Sequence, residues 1–387
     1  MKYWRGYIVA ALFAALTWAL MVFAKEYGNL VDMIYPYATR LIQTTLADWT
    51  GEVSFCLWQL IAALLGVALL ASVVAMVVLR WNFFQWLGWV LAVCSLIYTM
   101  HMGIFGLNYY TGSLSEDIRL EKADYTVTEM AKATSYFLEN ANALSTQVPR
   151  NADGTPDYPT FQELAEMAAD GFEDLTYEQY FAVFSGSTMP VKELGWADMY
   201  TSMGITGVTM ALTGEAAVNP QTPVVALPFV MCHEMCHRMC IATEGDANLG
   251  AYLACISNSD PIYQYSGYFY AFRYCYNALA SIDTVAASTA CQEIYSAIGD
   301  ELMQDLNFYR EFFKANQNST ATNLADSVND TYLKTSGDEA GTASYAQVSD
   351  HLVSWYIQEV YLPEHQEEIE RWDPTDKNQV DLTENVG

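Results

Sequence analysis

The stretch "FVMCHEMCHRMCIATEGDANLGAYLAC", Phe229 to Cys255, holds two of the five histidines of this chain and four of its eight cysteines. His233, Glu234 and His237 form the pattern H-E-x-x-H. Residues four apart share one face of a helix, so both imidazoles can reach a single metal ion. The carboxylate of Glu234 then lies beside the ion, where it can take a proton from a water molecule. The pattern predicts the Zn²⁺ site of a metallopeptidase.

A catalytic zinc site needs a third protein ligand and an open position for water. Glu244 and Asn248 are four apart on a second helix, for which Thr243 is the candidate N-cap. Several zincins use E-x-x-A-D or E-x-x-A-N, in which the Glu binds the metal and the last residue hydrogen-bonds a ligand histidine. We therefore expect Glu244 to be the third ligand and Asn248 to orient a histidine. Asp246 is the alternative third ligand.

Three cysteines, Cys232, Cys236 and Cys240, repeat at a spacing of four beside the histidines. They could bind metal, but small buried packing residues are the favoured interpretation. A disulfide within the set is not expected, because Cβ atoms four apart on a helix lie about 5–6 Å from each other and a disulfide needs about 3.5–4.5 Å.

Two further parts of a peptidase site have candidates in the sequence. The segment Gly204 to Val218, "GITGVTMALTGEAAV", predicts short strands and turns. It is either a sheet edge to which a peptide substrate adds or a simple hairpin. The residue that stabilises the tetrahedral oxyanion is usually a Tyr, His or Arg outside the metal helix. The candidates are Tyr265, Arg273, Tyr345 and His351.

Charge and hydrophobicity separate along the chain. It has 387 residues, is 52% hydrophobic and carries a formal charge of −28. Residues 1–110 carry a net charge of +1, which leaves −29 for the remainder. A neutral apolar part is therefore joined to a strongly acidic part. Because nucleic acids repel an acidic surface, nucleic-acid partners are excluded.

The neutral part predicts a membrane domain. Three apolar runs are long enough to span a bilayer, at about 6–24, 55–79 and 83–107. The first has no clean small-residue cleavage site after it, so we expect a retained anchor. Lys2, Arg5 and Arg80 favour a cytoplasmic N-terminus, and three spans then place the rest of the chain outside the cell.

The domain boundaries follow from these patterns. We expect a membrane domain at 1–110, with an interfacial amphipathic helix in the loop 25–54. Residues 111–362 predict a mostly helical, zincin-like α+β domain with a small sheet before the HExxH helix, so the fold class is mainly α. Within it we expect a helical pattern broken at Gly171, a polar loop at 317–331 and a last helix from about Tyr345 to Tyr361. An acidic, disordered tail is expected at 363–387.

The chain resembles a family of bacterial three-span membrane proteins known only as a domain of unknown function. The resemblance lies in the segments "TGEAAVNP", "LPFVMCHEMCHRM", "EGDANLGAYLAC", "YQYSGYFYA" and "YLKTSGDEAGTASYAQV". It covers essentially the whole chain and implies a zincin-like outer domain and peptidase activity, without a substrate. The residues at the family's site positions are His233, Glu234, His237, Glu244 and Asn248.

The chain also departs from the family pattern, which resembles H-E-x-A-H-Q-x-G followed by E-D-E-A-N-F. Cys236 replaces the Ala, Arg238 the Gln, Cys240 the Gly and Asp246 the second Glu. Losing the Gly is expected to make the turn harder, and Arg238 to place a cation near the metal. Tyr345 stands in "SYA" where the family has S-Y-G, so the resemblance makes it our choice for the oxyanion role.

These observations lead to one functional hypothesis and two alternatives. The hypothesis is a zinc metallopeptidase of gluzincin type, anchored in the bacterial cytoplasmic membrane by several spans, with its catalytic domain on the extracytoplasmic side and peptides or proteins as substrates. One alternative is a catalytically inactive zincin-like sensor that signals through the spans. The other is an intramembrane protease, which the charged residues after His237 disfavour.

Overall fold

The N-terminal part of the molecule consists of four long helices. The computed structural model describes residues 4–176, 182–336, 347–363 and 365. The first helices are α1 (Arg5–Glu26), α2 (Gly28–Gly51), α3 (Leu57–Val78) and α4 (Phe83–Ile104). Helices α1, α3 and α4 have 22 residues each and are long and apolar enough to cross a membrane. The three predicted apolar helices are therefore confirmed, and their position across a membrane stays a prediction.

Helices α1 and α4 pack side by side in the same direction. Gly6 lies against Gly88, and eleven residues later the hydroxyls of Thr17 and Thr99 are 2.8 Å apart. Small residues at the crossing let the two backbones approach, as in membrane helix pairs. Because the helices are parallel, both direct their C-terminal ends toward the remainder of the protein.

Helix α2 joins the apolar helices to the rest of the chain. Its Arg40 is 8% exposed and donates from Nη1 to the carbonyl oxygen of Ala182 and from Nε to that of Met239. Gln43 is fully buried and donates to the carbonyl oxygen of Ala211. The opposite side of α2 exposes the large apolar residues Met33, Ile34, Tyr37, Leu41 and Trp49. The predicted amphipathic helix is therefore present, and its location at a membrane interface stays a prediction.

The rest of the described chain is also mainly helical. Its helices are α5 (Leu114–Asp117), α6 (Val127–Ser145), α7 (Phe161–Leu175), α8 (Ala197–Ser202), α9 (Leu227–Arg238), α10 (Glu244–Ser257), α11 (Pro261–Ala280), α12 (Val285–Ser296), α13 (Asp300–Asn316), α14 (Ser319–Ser336) and α15 (Gln347–Tyr356). Helices α6, α7, α9, α10 and α11 surround one hydrophobic core. Its largest fully buried side chains include Phe137, Phe172, Met231, Tyr252 and Phe269. Burial of these side chains fixes α9 and α10 against each other.

A small sheet lies on one side of α9. Its strands are β1 (Lys192–Glu193), β2 (Gly207–Met210) and β3 (Glu215–Val218), in the order β1-β3-β2. Strand β2 is antiparallel to β3, with Gly207 opposite Val218, and is an edge strand of this sheet. The small sheet predicted before the HExxH helix is confirmed. Strand β1, with two residues, is too short to leave a pattern in the sequence.

Two local predictions are wrong. The polar segment 317–331 is not a loop, because α14 covers most of it. It contains no Gly or Pro, and the side-chain oxygen of Asn318 accepts from the backbone N–H groups of Thr320 and Ala321 in its first turn. Helix α7 also continues through Gly171, whose missing side chain lets α7 lie against the carbonyl of Ala254 in α10.

Some predictions fall on residues that the structure does not describe. Tyr345 lies outside the described residues, and so does most of the predicted tail at 363–387. The last predicted helix is present from Gln347, where the description resumes, and continues as a π-helical segment over Ile357–Tyr361.

Candidate metal centre

Helix α9 carries three of the predicted site residues. It begins with Pro228 in its first turn, where a missing N–H has no consequence for the helix. It packs against β2, β3, α10 and α11. The i, i+4 spacing directs His233 and His237 to one side, and their ring centroids are 4.7 Å apart.

A tight turn brings α10 back over α9. The backbone N–H of Ile241 donates to the carbonyl of Cys236 and that of Cys240 to the carbonyl of His237, which is the hydrogen-bond pattern of a Schellman motif. Cys240 has a φ of 70°, in the left-handed region that favours Gly. Thr243 then caps α10 by accepting from the N–H of Asp246. The expected difficulty at Cys240 is therefore real, and the turn forms in spite of it.

The turn places Glu244 against the two histidines. The Nε2 atoms of His233 and His237 are 3.1 Å apart. Oε2 of Glu244 lies 3.3 Å from Nε2 of His233 and 3.7 Å from Nε2 of His237. Tetrahedral ligands about 2.0–2.1 Å from one ion lie about 3.3 Å from each other. The three ligand atoms therefore have the separations that a small tetrahedral metal ion requires.

The ring of His237 is oriented by the backbone. Its Nδ1 lies 2.9 Å from the carbonyl oxygen of Ile241, which can only accept, so Nδ1 carries the proton and Nε2 of the neutral ring faces Glu244. Burial favours the neutral ring, but the hydrogen bond and charge of Glu244 raise the pKa of His237 to about 9. Nδ1 of His233 is buried and has no hydrogen-bond partner among the described residues. The carbonyl on His237 is the kind of partner that metal-binding histidines usually have.

Glu234 lies beside this cluster and against the edge strand. It is 5% exposed, and its Oε2 accepts a hydrogen bond of 2.8 Å from the hydroxyl of Thr209 in β2. A Cβ at Gly207 would lie 2.3 Å from Oε1 of Glu234, so only Gly leaves room for the carboxylate there. Burial raises the pKa of Glu234, which is the direction that suits a group accepting a proton near neutral pH.

Asp246 faces away from the three ligand atoms. Its Oδ2 accepts a hydrogen bond of 2.9 Å from the hydroxyl of Thr243, the N-cap of α10. Its Oδ1 lies 4.0 Å from Nδ1 of His351. Among the described residues, the group of three that could hold a metal is His233, His237 and Glu244. The geometry therefore favours Glu244 over Asp246 as the third ligand.

Asn248 is buried close to the site but does not bond a histidine. Its Oδ1 accepts a hydrogen bond of 3.1 Å from the hydroxyl of Tyr274 in α11, and its Nδ2 has no partner within the part of the chain that the structure describes. The hydrogen bond predicted from Asn248 to a ligand histidine is thus not formed. The carbonyl of Ile241 already occupies Nδ1 of His237, and Asn248 contacts Tyr274 instead of the unpartnered Nδ1 of His233.

The structure describes three of the four candidates for oxyanion stabilisation, and each has other contacts. The hydroxyl of Tyr265 donates 2.6 Å to Oδ2 of the buried Asp305, so it has a structural role away from the metal centre. His351 faces Asp246. Arg273 lines a cavity between α11 and α13. None of these three therefore contacts the three candidate ligands, and Tyr345 lies outside the described residues.

Two tyrosines near the site were not among the candidates. Burial raises the pKa of both Tyr274 and Tyr332, and the charge of Glu244 adds to the rise in each case. The hydroxyl of Tyr332 in α14 lies 3.1 Å from Nε2 of His101 in α4. Tyr332 directly follows the polar segment 317–331, whose composition predicts a loop, so the sequence has no pattern that places it near the site.

Arg238 and the cysteines are packing residues around the centre. Arg238 is 2% exposed and donates from Nη2 to the carbonyls of Ser187 and Met189, so the expected cation near the metal is held elsewhere. Cys232 and Cys236 are fully buried, and all eight cysteines are free. The packing interpretation of the cysteines agrees with this arrangement.

Comparisons with known proteins give a family. No curated protein and no solved structure matches this chain. One family model, described as "Protein of unknown function (DUF3810)", matches residues 31–353. This match contains most of α2, all of α3 and α4, the sheet, helices α9 and α10, and most of α15. Because it covers well over half of the 387 residues, the chain belongs to the DUF3810 family.

Proposed function

We propose that this protein is a membrane-anchored zinc metallopeptidase of gluzincin type. The observation that carries the proposal is the convergence of His233, His237 and Glu244 at separations of 3.1–3.7 Å, with Glu234 beside them. A buried set of two imidazoles and a carboxylate is the ligand set of many catalytic zinc sites. Zinc held there would acidify a water molecule and polarise a substrate carbonyl.

The protein's own residues then have defined roles. The carboxylate of Glu234 accepts the proton of the attacking water and passes it to the leaving amine. Thr209 holds that carboxylate through its hydroxyl, and Gly207 leaves the space for it. The backbone carbonyl of Ile241 keeps Nε2 of His237 directed at the centre.

The edge strand next to Glu234 supports peptide as the substrate. Strand β2 pairs with β3 on one side, and its residues are only partly buried. An extended peptide that adds to this edge makes main-chain hydrogen bonds whatever its side chains are. Because Gly207 and Thr209 of β2 both lie against Glu234, such a peptide would have its backbone at the proton-accepting carboxylate.

The location follows from the apolar helices. Three helices suited to spanning a bilayer support membrane anchoring, and the apolar side of α2 suits the adjacent interface. With Arg5 and Arg80 on the cytoplasmic side, the metal centre lies on the extracytoplasmic side of the membrane. Helix α9 has 12 residues, whereas a span needs about 20, so an intramembrane protease is a poor alternative.

A non-catalytic sensor is the second candidate, and one contact favours it. Tyr332, whose pKa responds to the charge of Glu244, lies 3.1 Å from Nε2 of His101 in the apolar helix α4. A change of charge at the metal centre would therefore act through space on Tyr332, which contacts a membrane helix through His101.

The deciding experiment replaces Glu234 by Gln in the purified full chain. We expect wild-type protein with one bound zinc to cleave a denatured protein substrate, and Glu234→Gln to keep zinc while losing cleavage by about 10²-fold or more. The matched control is Glu293→Gln, because Glu293 is exposed on α12. Undiminished cleavage by Glu234→Gln would refute the mechanism. Stoichiometric zinc without any cleavage by the wild type would favour the sensor.

A further inference from the structure

A cavity of about 630 Å³ lies between α11, α12, α13 and the segment that leads into β2. Aromatic side chains form much of its wall, among them Tyr270, Tyr274, Tyr295 and Tyr309. Two arginines, Arg273 and Arg310, also line it, and no Asp or Glu is among its described lining residues. In a chain with 45 acidic and 17 basic residues, this is an unusually cationic place.

Arg273 is the inner cation of this cavity. Its guanidinium carbon lies 3.9 Å from the ring centroid of Tyr309 and 5.3 Å from that of Tyr270. No carboxylate of the described chain lies within 4.0 Å of it. Stacking holds the guanidinium by its faces, one N–H meets the hydroxyl of Tyr309, and the remaining N–H groups are available for an anion. A partly buried guanidinium without a counter-ion can bind one anionic group through charge-assisted hydrogen bonds.

Arg310 is different. Its side chain is 70% exposed and its Nε lies 3.6 Å from Oε1 of the neighbouring Glu311, so its charge is partly compensated and mostly solvated. An exposed ion pair of this kind contributes little to stability or to the binding of an anion. The cationic character of the inner cavity therefore comes from Arg273.

The cavity adjoins the metal centre on two sides. Tyr274, which lines the cavity, donates to Asn248, one helical turn after Glu244. Thr206, also in the lining, directly precedes Gly207, which lies against the carboxylate of Glu234. A peptide along β2 would thus leave the proton-accepting carboxylate and reach the cavity within about three residues, at about 3.3 Å per residue.

We propose that this cavity binds a carboxylate of the peptide substrate and that Arg273 is the residue that receives it. The proposal deepens the proposed function, on which it rests, by giving the substrate class: peptides with a negative charge within about three residues of the cleaved bond. The carboxylate is either the free C-terminus or an Asp or Glu side chain. A guanidinium and a carboxylate form two parallel charge-assisted hydrogen bonds, and the tyrosine walls keep water from competing.

The test measures binding separately from cleavage. Zinc-loaded full-length Glu234→Gln protein is titrated, by fluorescence anisotropy, with three labelled hexapeptides of one neutral sequence. The first has a free C-terminal carboxylate, the second is amidated, and the third is amidated with one Glu in the interior. We expect one of the two charged peptides to bind at least about tenfold more tightly than the neutral one. The charged peptide that does so identifies the source of the carboxylate.

Variants assign the preference to Arg273. Adding Arg273→Gln should make the charged and neutral peptides bind equally, whereas Arg273→Lys, which keeps the charge, should retain part of the preference. Lys314→Gln removes the same charge from an exposed position of α13 and should leave the preference unchanged. Thermal unfolding of each variant shows whether loss of the stack on Tyr309 has unfolded the protein, and a folded Arg273→Lys with partial preference supports the proposal in that case.

The outcomes separate the two proposals. Equal binding of all three peptides, or a preference that survives Arg273→Gln, would overturn the carboxylate site. A preference that depends on Arg273, in a protein whose wild type cleaves nothing, would retain the carboxylate site and remove the peptidase.

Discussion

Nδ1 of His237 lies 2.9 Å from the carbonyl oxygen of Ile241, the residue that closes the turn after α9. The contact couples the metal centre to the backbone of that turn. The turn in turn depends on Cys240, which adopts a left-handed conformation that disfavours any residue with a side chain. A strained residue is thus three positions from a metal-ligand candidate, and it directs the carbonyl that orients the ring.

The strain at Cys240 can be measured by comparing two substitutions. Both Cys240→Gly and Cys240→Ala remove the thiol, but only Gly relieves the left-handed backbone. We expect the Gly variant to be more stable than the Ala variant by about 1 kcal/mol. Thermal unfolding of both metal-free proteins in the same detergent measures this. Higher stability of the Ala variant would show that the backbone at 240 is unstrained.

The third ligand can be assigned with two equivalent substitutions. Glu244→Gln and Asp246→Asn each replace a carboxylate by an amide on α10. We expect Glu244→Gln to weaken zinc binding by more than about 100-fold, because the Oε2 atom that faces both histidines loses its charge. Asp246→Asn should retain one zinc, since its side chain contacts Thr243 and not the histidines. Zinc content after dialysis against a chelator buffer distinguishes the two, and the reverse result would make Asp246 the ligand.

Zinc binding should release a proton from His237 near neutral pH. The pKa of this ring is raised to about 9 in the metal-free protein, so the ring is charged at about pH 7. An imidazole binds a metal in its neutral form, so zinc displaces the proton. Above about pH 9 the ring has already lost it, so the contribution of His237 should disappear and the proton count should fall by about one, leaving the proton from the zinc-bound water. Calorimetry of chelator-buffered zinc in buffers with different ionisation enthalpies counts the protons, and a count that does not change across pH 9 would contradict the assignment.

The parts of the molecule that have a local sequence pattern could be predicted from the sequence. The apolar runs predict the three long helices, and the four-residue steps predict that His233, His237 and Glu244 meet. The role of Thr209 could not be predicted, because its hydrogen bond to Glu234 joins residues that are 25 positions apart in the chain. The position of Tyr332 was also not predicted, because α14 is polar, buries only Leu333 and Ser336, and contacts α4 through hydrogen bonds. Contacts between distant segments depend on how the elements pack, and a local pattern has no information about that.

Glu215 shows such a long-range contact and should be essential for stability. Its carboxylate accepts hydrogen bonds of 2.8 Å from the N–H groups of Leu57 and Trp58 at the start of α3. Its Oε1 also lies 2.7 Å from Nζ of Lys192. Glu215→Gln leaves the ammonium group of Lys192 without its counter-ion, which we expect to destabilise the protein by about 3 kcal/mol. The control is Glu193→Gln on the same sheet, where the side chain is exposed and the loss should be below about 0.5 kcal/mol. Thermal unfolding in detergent compares them; equal stability would show that the pair is dispensable.

Thr209 provides the most direct test of how Glu234 acts. Its hydroxyl donates to the carboxylate of Glu234 and so favours the ionised form, opposing the burial that raises the pKa. Thr209→Val keeps the shape and removes the donor, so the pKa of Glu234 should rise further. Because only the ionised carboxylate accepts a proton, the acidic limb of the profile of kcat/KM against pH should move up by about one pH unit. Thr209→Ser, which keeps the hydroxyl, should leave the limb in place. A limb that moves equally in both variants would mean that Thr209 acts through packing, and an unmoved limb in Thr209→Val would mean that Glu234 is not the group that titrates.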